Sequence, residues 1–238
     1  MSSDQTMPDT PDETASTTRR YESPLRREQA QQTERKMLDA AHRLLVERGY
    51  ASMTMAAVAT EAGVSSQTVY KVFGTKSALV KRLWDVTLAG DQEPVPLAQR
   101  PGMRQIWAEP DPRRKVALLG QTGSGLYGRL GGLYSQLLAG AQSGDADLRE
   151  LVATSERERR IDIRAVVEHL ALVGALRTDI SVQRATDIVW VLTAPEPYLR
   201  FLDRCGWSQQ EFEDWFTHTV AASILADGKA AAQTHEAG

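Results

Sequence analysis

Residues 54–79 read TMAAVATEAGVSSQTVYKVFGTKSAL, and the periodicity of this stretch decides the fold. Thr54 stands as a helix N-cap ahead of Met55, Val58, Ala59 and Ala62, apolar positions spaced i, i+3, i+4 and i+7. Gly63 supplies the positive φ that ends this short helix, and Val64 covers the turn. Ser65 caps the next helix, whose Val69, Val72 and Phe73 are expected to form a buried edge, and Thr75 caps another through Leu79, Leu83 and Trp84. Two short helices joined by a tight glycine turn make a helix-turn-helix unit. The preceding stretch TERKMLDAAHRLLVERG, residues 33–49, buttresses it with Met37, Leu38, Ala41, Leu44 and Leu45 on one face and Gly49 as a stop.

The orientation of the helix after Ser65 sets its chemistry. At 100° per residue, Gln67 and Lys71 point away from the Val69 edge, with Thr68 and Tyr70 on the flanks. Gln bonds adenine bidentately, Lys bonds guanine or phosphate, and Ser, Thr and Tyr hydroxyls suit phosphate oxygens, so this face has the residue types of a helix in the major groove.

The net charge of the 238-residue chain is −3, which by itself argues against a nucleic-acid partner. Its distribution reverses that conclusion. Residues 19–83 hold 12 bases and six acids, whereas residues 1–18 hold four acids and no base. The rest of the chain is acidic, and a phosphate responds only to charge within about 8–10 Å. Composition, 42% hydrophobic and 25% charged, excludes a mostly disordered chain. The first 18 residues lack the basic and apolar parts of a secretory signal, and no run reaches the ~18 apolar residues of a membrane span, so the chain is expected to be cytoplasmic with no membrane partner.

The stretch 54–79 resembles the DNA-binding domain of the TetR family of bacterial transcriptional regulators, with Thr54, Ala59, Ala62-Gly63-Val64-Ser65, Thr68, Tyr70, Phe73, Lys76 and Leu79 in the register of that family's motif. The match extends from Ala40 to Trp84. The resemblance implies a homodimer with an N-terminal reading head and a larger helical body that binds an effector and dimerises. It also implies repression of a palindromic operator, released by a small molecule. By position Thr54, Tyr70 and Lys76 would hold phosphates, while Ser66, Gln67 and Lys71 would approach bases, beside the capping Ser65 and Thr68. Val72 stands where many relatives carry His, which leaves one phosphate contact without its usual residue.

Beyond the head the signals stay helical, in two long stretches from about Arg113 to Leu138 and from Ala146 to Leu176. In SERERRIDIR, residues 155–164, Glu156, Glu158 and Asp162 interleave with Arg157, Arg159, Arg160 and Arg164, the pattern of a solvated face laced with ion pairs. Val182 to Leu192 is apolar, Gly206 closes a short helix through Tyr198, Leu199 and Leu202, and Ser208 with Glu211 forms a capping box. The stripe that follows, Phe212, Trp215, Phe216, Thr219, Val220 and Ile224, is rich in interface-type aromatics. The stretch from Thr193 to Thr219 also resembles the end of some actinobacterial TetR-like regulators, whose last two helices pair with those of a partner. Leu199, Phe212, Trp215, Phe216, Thr219 and Val220 are therefore expected at a dimer interface. Trp107, Tyr127, Tyr134 and Trp190 are candidates for a pocket wall, as is Tyr198.

A rival reading rests on KVALLGQTGSGLYGRLGG, which contains GxGxxG at Gly123, Gly125 and Gly128 and would make the chain a nucleotide-binding enzyme. That fingerprint needs a strand before it and a parallel sheet around it, and no strand pattern is present. Leu126 stands where a phosphate loop needs Lys. A bent helix with glycines for close packing is the expectation. His42, His169, His218 and His235 are scattered, Cys205 is the single cysteine and is expected to be buried, and no metal, cofactor or catalytic group is implied.

The sequence thus predicts an all-α protein that is not an enzyme. A tail at 1–25 and another at 227–238 are expected to be disordered, with a three-helix helix-turn-helix DNA-binding domain at 26–84 and a larger helical ligand-binding and dimerisation domain at 85–226. A DNA-bound dimer scaffold with no ligand is the second alternative.

Overall fold

The computed structural model describes residues 24–93 and 95–226. The expected tails lie outside these residues, except that Pro24 and Leu25 already belong to the first helix. Helix α1 spans Pro24–Ser52 and is broken at Gly49, whose φ of 76° marks the stop read from the sequence. Helix α2 is Met55–Ala62, α3 Ser66–Phe73 and α4 Lys76–Ala89. Thr54, Ser65 and Thr75 each accept a hydrogen bond from the backbone N–H three residues on, so all three caps form. Gly63 lies in the left-handed region at φ 69°.

These helices enclose one apolar centre. Met37, Leu38, Leu44 and Leu45 of α1 meet Met55 and Val58 of α2, Val69 of α3, and Leu79 and Leu83 of α4, all buried. Val72 departs from expectation. It is 47% exposed and Phe73 is half-buried, because α3 is two turns long and rests on its neighbours only along the line of Val69.

After a single 3-10 turn at Leu97–Gln99 come α5 (Pro101–Ala108), α6 (Pro112–Gln142), α7 (Ala146–Leu172), α8 (Val182–Leu192), α9 (Pro195–Cys205) and α10 (Gln209–Ile224). No strand forms among the described residues; an isolated bridge from Leu176 to Leu225 ties the end of α7 to the end of α10. Helix α6 is the axis, packing on α1, α4, α5, α7, α9 and α10. Its glycines permit that crowding: a Cβ on Gly120 would stand 2.6 Å from the Phe216 ring, and one on Gly132 would stand 3.1 Å from Val46. Gly131, at φ 31° and ψ −117°, breaks the helix in two.

Candidate nucleic-acid interface and body cavity

The outer side of α3 carries Ser66, Gln67, Tyr70 and Lys71 exposed, Tyr70 by 54%. Ser65, Gln67, Thr68, Tyr70 and Lys71 line one shallow concavity on that side. Thr54 and Ser65 serve as caps and remain exposed, and the two functions are compatible: a hydroxyl that accepts from a backbone N–H still has its own O–H to donate. The Ser65 and Thr68 hydroxyls bond each other at 2.8 Å, which leaves one O–H of the pair for an outside acceptor. Exposed Val72 borders this face and adds an apolar surface of the kind that meets a thymine methyl.

Lys76 is placed differently from the other candidates. Its ammonium donates to the Tyr50 carbonyl and lies 3.7 Å from the centre of the Tyr50 ring. Partial burial lowers its pKa, opposed by the charge of Asp145. Burial raises the Tyr50 pKa to about 12, with Asp145 and Asp147 adding to the effect. Lys76 therefore ties the start of α4 to the end of α1 beside the α6–α7 turn.

The body holds a cavity of about 1040 Å³ between α4, α6 and α7. Its wall includes Trp84 and Leu88 of α4, Leu126, Tyr127 and Tyr134 of α6, and Val166 of α7, a mainly apolar surface. Exposed Lys81 and Asp85 on one side, and Glu158 and Ile161 on the other, form its rim. The two tyrosine hydroxyls are already engaged, Tyr127 donating to the Thr193 carbonyl and Tyr134 to Glu196. Burial pushes the Tyr127 pKa up to about 12. Burial, and then the bond to Glu196, push that of Tyr134 up as well.

Residues 37–83 match the family model described as bacterial regulatory proteins, tetR family. The chain thus carries a DNA-binding domain of the tetR family. It is a DNA-binding transcriptional regulator. Solved structures share its fold over most of their length. NalD of Pseudomonas aeruginosa, the secondary repressor of the MexAB-OprM multidrug efflux pump, aligns with a TM-score of 0.67 at 17% identity, over 84% of this chain and 99% of that one. FadR of Bacillus subtilis, in complex with stearoyl-CoA, aligns at 0.64 and 16%, over 80% and 98%. A protein described as a transcriptional regulator from Saccharomonospora viridis, in complex with choline, aligns at 0.64 and 17%, over 83% and 100%. No functionally curated protein matches the sequence.

Several body residues of this chain with a tetR-family head stand elsewhere than the sequence implied. Tyr127 and Tyr134 line the cavity, but Trp107 is 39% exposed on α5, its ring against His169, and Trp190 lies beneath the guanidinium groups of Arg159 and Arg160. Trp84, read as the end of the head, supplies a cavity wall. Phe212, Phe216 and Val220 are buried within a single chain, so they are not surface for a second one; Leu199, Trp215 and Thr219 are half-buried. The aromatic richness of α10 is satisfied internally, by rings such as Phe201 against Trp215 at 4.7 Å and Phe212 against Tyr198 at 5.1 Å. Cys205 is exposed at the end of α9 rather than buried. Gly123, Gly125 and Gly128 all lie inside α6, where helical hydrogen bonding occupies the backbone amides that a dinucleotide loop would present.

Proposed function

We propose that this regulator is a cytoplasmic repressor which binds a palindromic operator as a homodimer and leaves it when a small molecule fills the body cavity. The observation that carries the proposal is that one cavity is walled by both parts of the chain, with Trp84 and Leu88 on the helix that leaves the head and Tyr127, Tyr134 and Val166 on the body. The Arg129 guanidinium of α6 donates to the Thr87 and Leu88 carbonyls at 3.3 and 2.9 Å, so α6 grips the end of α4. A ligand that parts α4 from α6 or α7 turns the head, and two heads so turned no longer match half-sites one helical turn, about 34–36 Å, apart. Coupling of this kind is typically about 1–3 kcal/mol, or 5–150-fold in operator affinity. Homodimerisation follows from the weakness of one short reading helix, which a twofold axis doubles. Thr54, Ser65, Thr68 and Tyr70 hold phosphates in this reading, while Ser66, Gln67 and Lys71 approach bases.

Selection of bound sequences from a random DNA pool tests it. A palindromic product is expected, and Gln67→Ala and Lys71→Ala proteins should lose sequence preference at that site. A non-palindromic product, or preference unchanged in both variants, refutes the reading helix or its symmetry.

A further inference from the structure

The interleaved charges of α7 do not cancel in the way their sequence implies. Arg157 pairs with Glu150 at 2.9 Å, Arg159 with Glu156 at 2.5 Å, Arg160 with Asp187 at 2.5 Å and Arg164 with Glu168 at 2.8 Å. All four arginines are taken, three of them by carboxylates outside the run, and none by Glu158 or Asp162. Those two acids, one turn apart on α7, lie on the cavity wall with no cationic partner among the described residues.

The cations of the same wall are spent. Lys81 pairs with Asp85 at 2.9 Å, Arg82 with Glu34 at 2.7 Å, Arg100 with Asp91 at 2.6 Å, and Arg159 with Glu156. Eight carboxylates and four cations line the cavity, so an anionic ligand would find every cation occupied and an excess of negative charge. Asp162 is half-buried, and its pKa is raised by desolvation and then by Glu158, the state of a carboxylate that lacks a counter-ion. The rest of the wall is apolar and includes the indole of Trp84, whose face attracts a cation.

We infer that the cavity takes a lipophilic organic cation, with Glu158 and Asp162 as its counter-ions and the apolar wall around Trp84, Leu126 and Val166 as the seat of its hydrocarbon. The inference rests on the effector reading of the cavity and narrows it to one ligand class. It sets this chain apart from a regulator built for acyl anions, which needs a free Arg or Lys facing the chamber.

Tetraphenylphosphonium and tetraphenylborate have nearly the same size and shape and opposite charge, and triphenylphosphine oxide is a neutral relative. Titration of each into the full-length protein, read by calorimetry and by quenching of tryptophan fluorescence, tests the inference. The phosphonium should bind at least tenfold tighter than the borate. The Glu158→Gln/Asp162→Asn protein should lose about tenfold in phosphonium affinity while its affinity for the neutral probe holds. That double variant also moves the overall charge from −3 to −1, so an Asp203→Asn/Asp214→Asn protein, which makes the same change at exposed positions away from the cavity, is the control and should keep the phosphonium affinity. Equal or reversed affinities, or a cation preference that survives in the double variant, overturn the ligand class and leave the effector cavity standing. If none of the three probes binds, the effector reading falls and this inference with it.

Discussion

Gly120 and Gly125 lie five residues apart on α6, and alanine at the two positions should have opposite effects. A Cβ at Gly120 would meet the Phe216 ring at 2.6 Å, well inside the 3.4–4 Å of ordinary contact, and Phe216 is 1% exposed and enclosed. Overpacking of this kind costs about 1–3 kcal/mol. The better helix propensity of alanine returns up to about 1 kcal/mol, so Gly120→Ala should lose up to about 2 kcal/mol. A Cβ at Gly125 meets nothing within 4 Å, and its backbone is helical, so Gly125→Ala should gain about 0.5–1 kcal/mol. At about 2–4 °C per kcal/mol for a chain of this size, the two melting temperatures should differ by about 2–12 °C. Thermal denaturation at one fixed protein concentration measures the difference, since association also moves Tm. If Gly125→Ala is the more damaging change, or the two are equal, the helical placement of the GxGxxG residues is wrong. A dinucleotide loop would give that result, because its second glycine makes the closest approach to the ligand.

Lys76→Ala should lower Tm in the absence of DNA, by about 1 kcal/mol of stability, because it removes the donor to the Tyr50 carbonyl and the cation over the Tyr50 ring. An unchanged Tm with weaker operator binding and a shallower salt dependence would instead make Lys76 a phosphate ligand alone. Asp162→Asn should raise Tm at pH 7. The folded carboxyl binds its proton more readily than the unfolded one, so it favours folding below the unfolded pKa and opposes it once pH has risen through the folded value. The gain should therefore vanish when melting is repeated below the carboxylate range, and a gain independent of pH would point to a cause other than charge.

The head was legible because its determinants are local. Each cap, glycine turn and apolar repeat lies within three or four residues of what it controls, and Thr54, Ser65 and Thr75 cap the helices they precede. The body was legible only as helices. Helix α5 has just Met103 and Ile106 buried, too few positions to show a period. The cavity joins residues from Thr75 to Pro195, and no local pattern announces which of their faces will be left apart. The aromatic stripe of α10 shows the same limit: periodicity says that one face is covered, but Phe216 meets Gly120 of its own chain and not a partner. In SERERRIDIR the alternation of signs predicted mutual pairing. Only Arg159 and Glu156 pair within the run; the structure brings in Glu150, Glu168 and Asp187 for the other three arginines, which releases Glu158 and Asp162 to the cavity wall.

The break at Gly131 means that the sequence boundary of the head and its mechanical boundary are different places. Before the break α6 lines the cavity through Tyr127 and Leu130; after it, Tyr134 and Leu137 continue that wall while Gly132 meets Val46, and Gln136 and Gly140 approach Gly49 and Tyr50 of α1. The segment 132–142 is covalently part of the body yet forms the floor on which the head stands. A graft that moves only residues 26–84 onto another regulator would leave that floor behind and set the new head on a surface shaped for a different one.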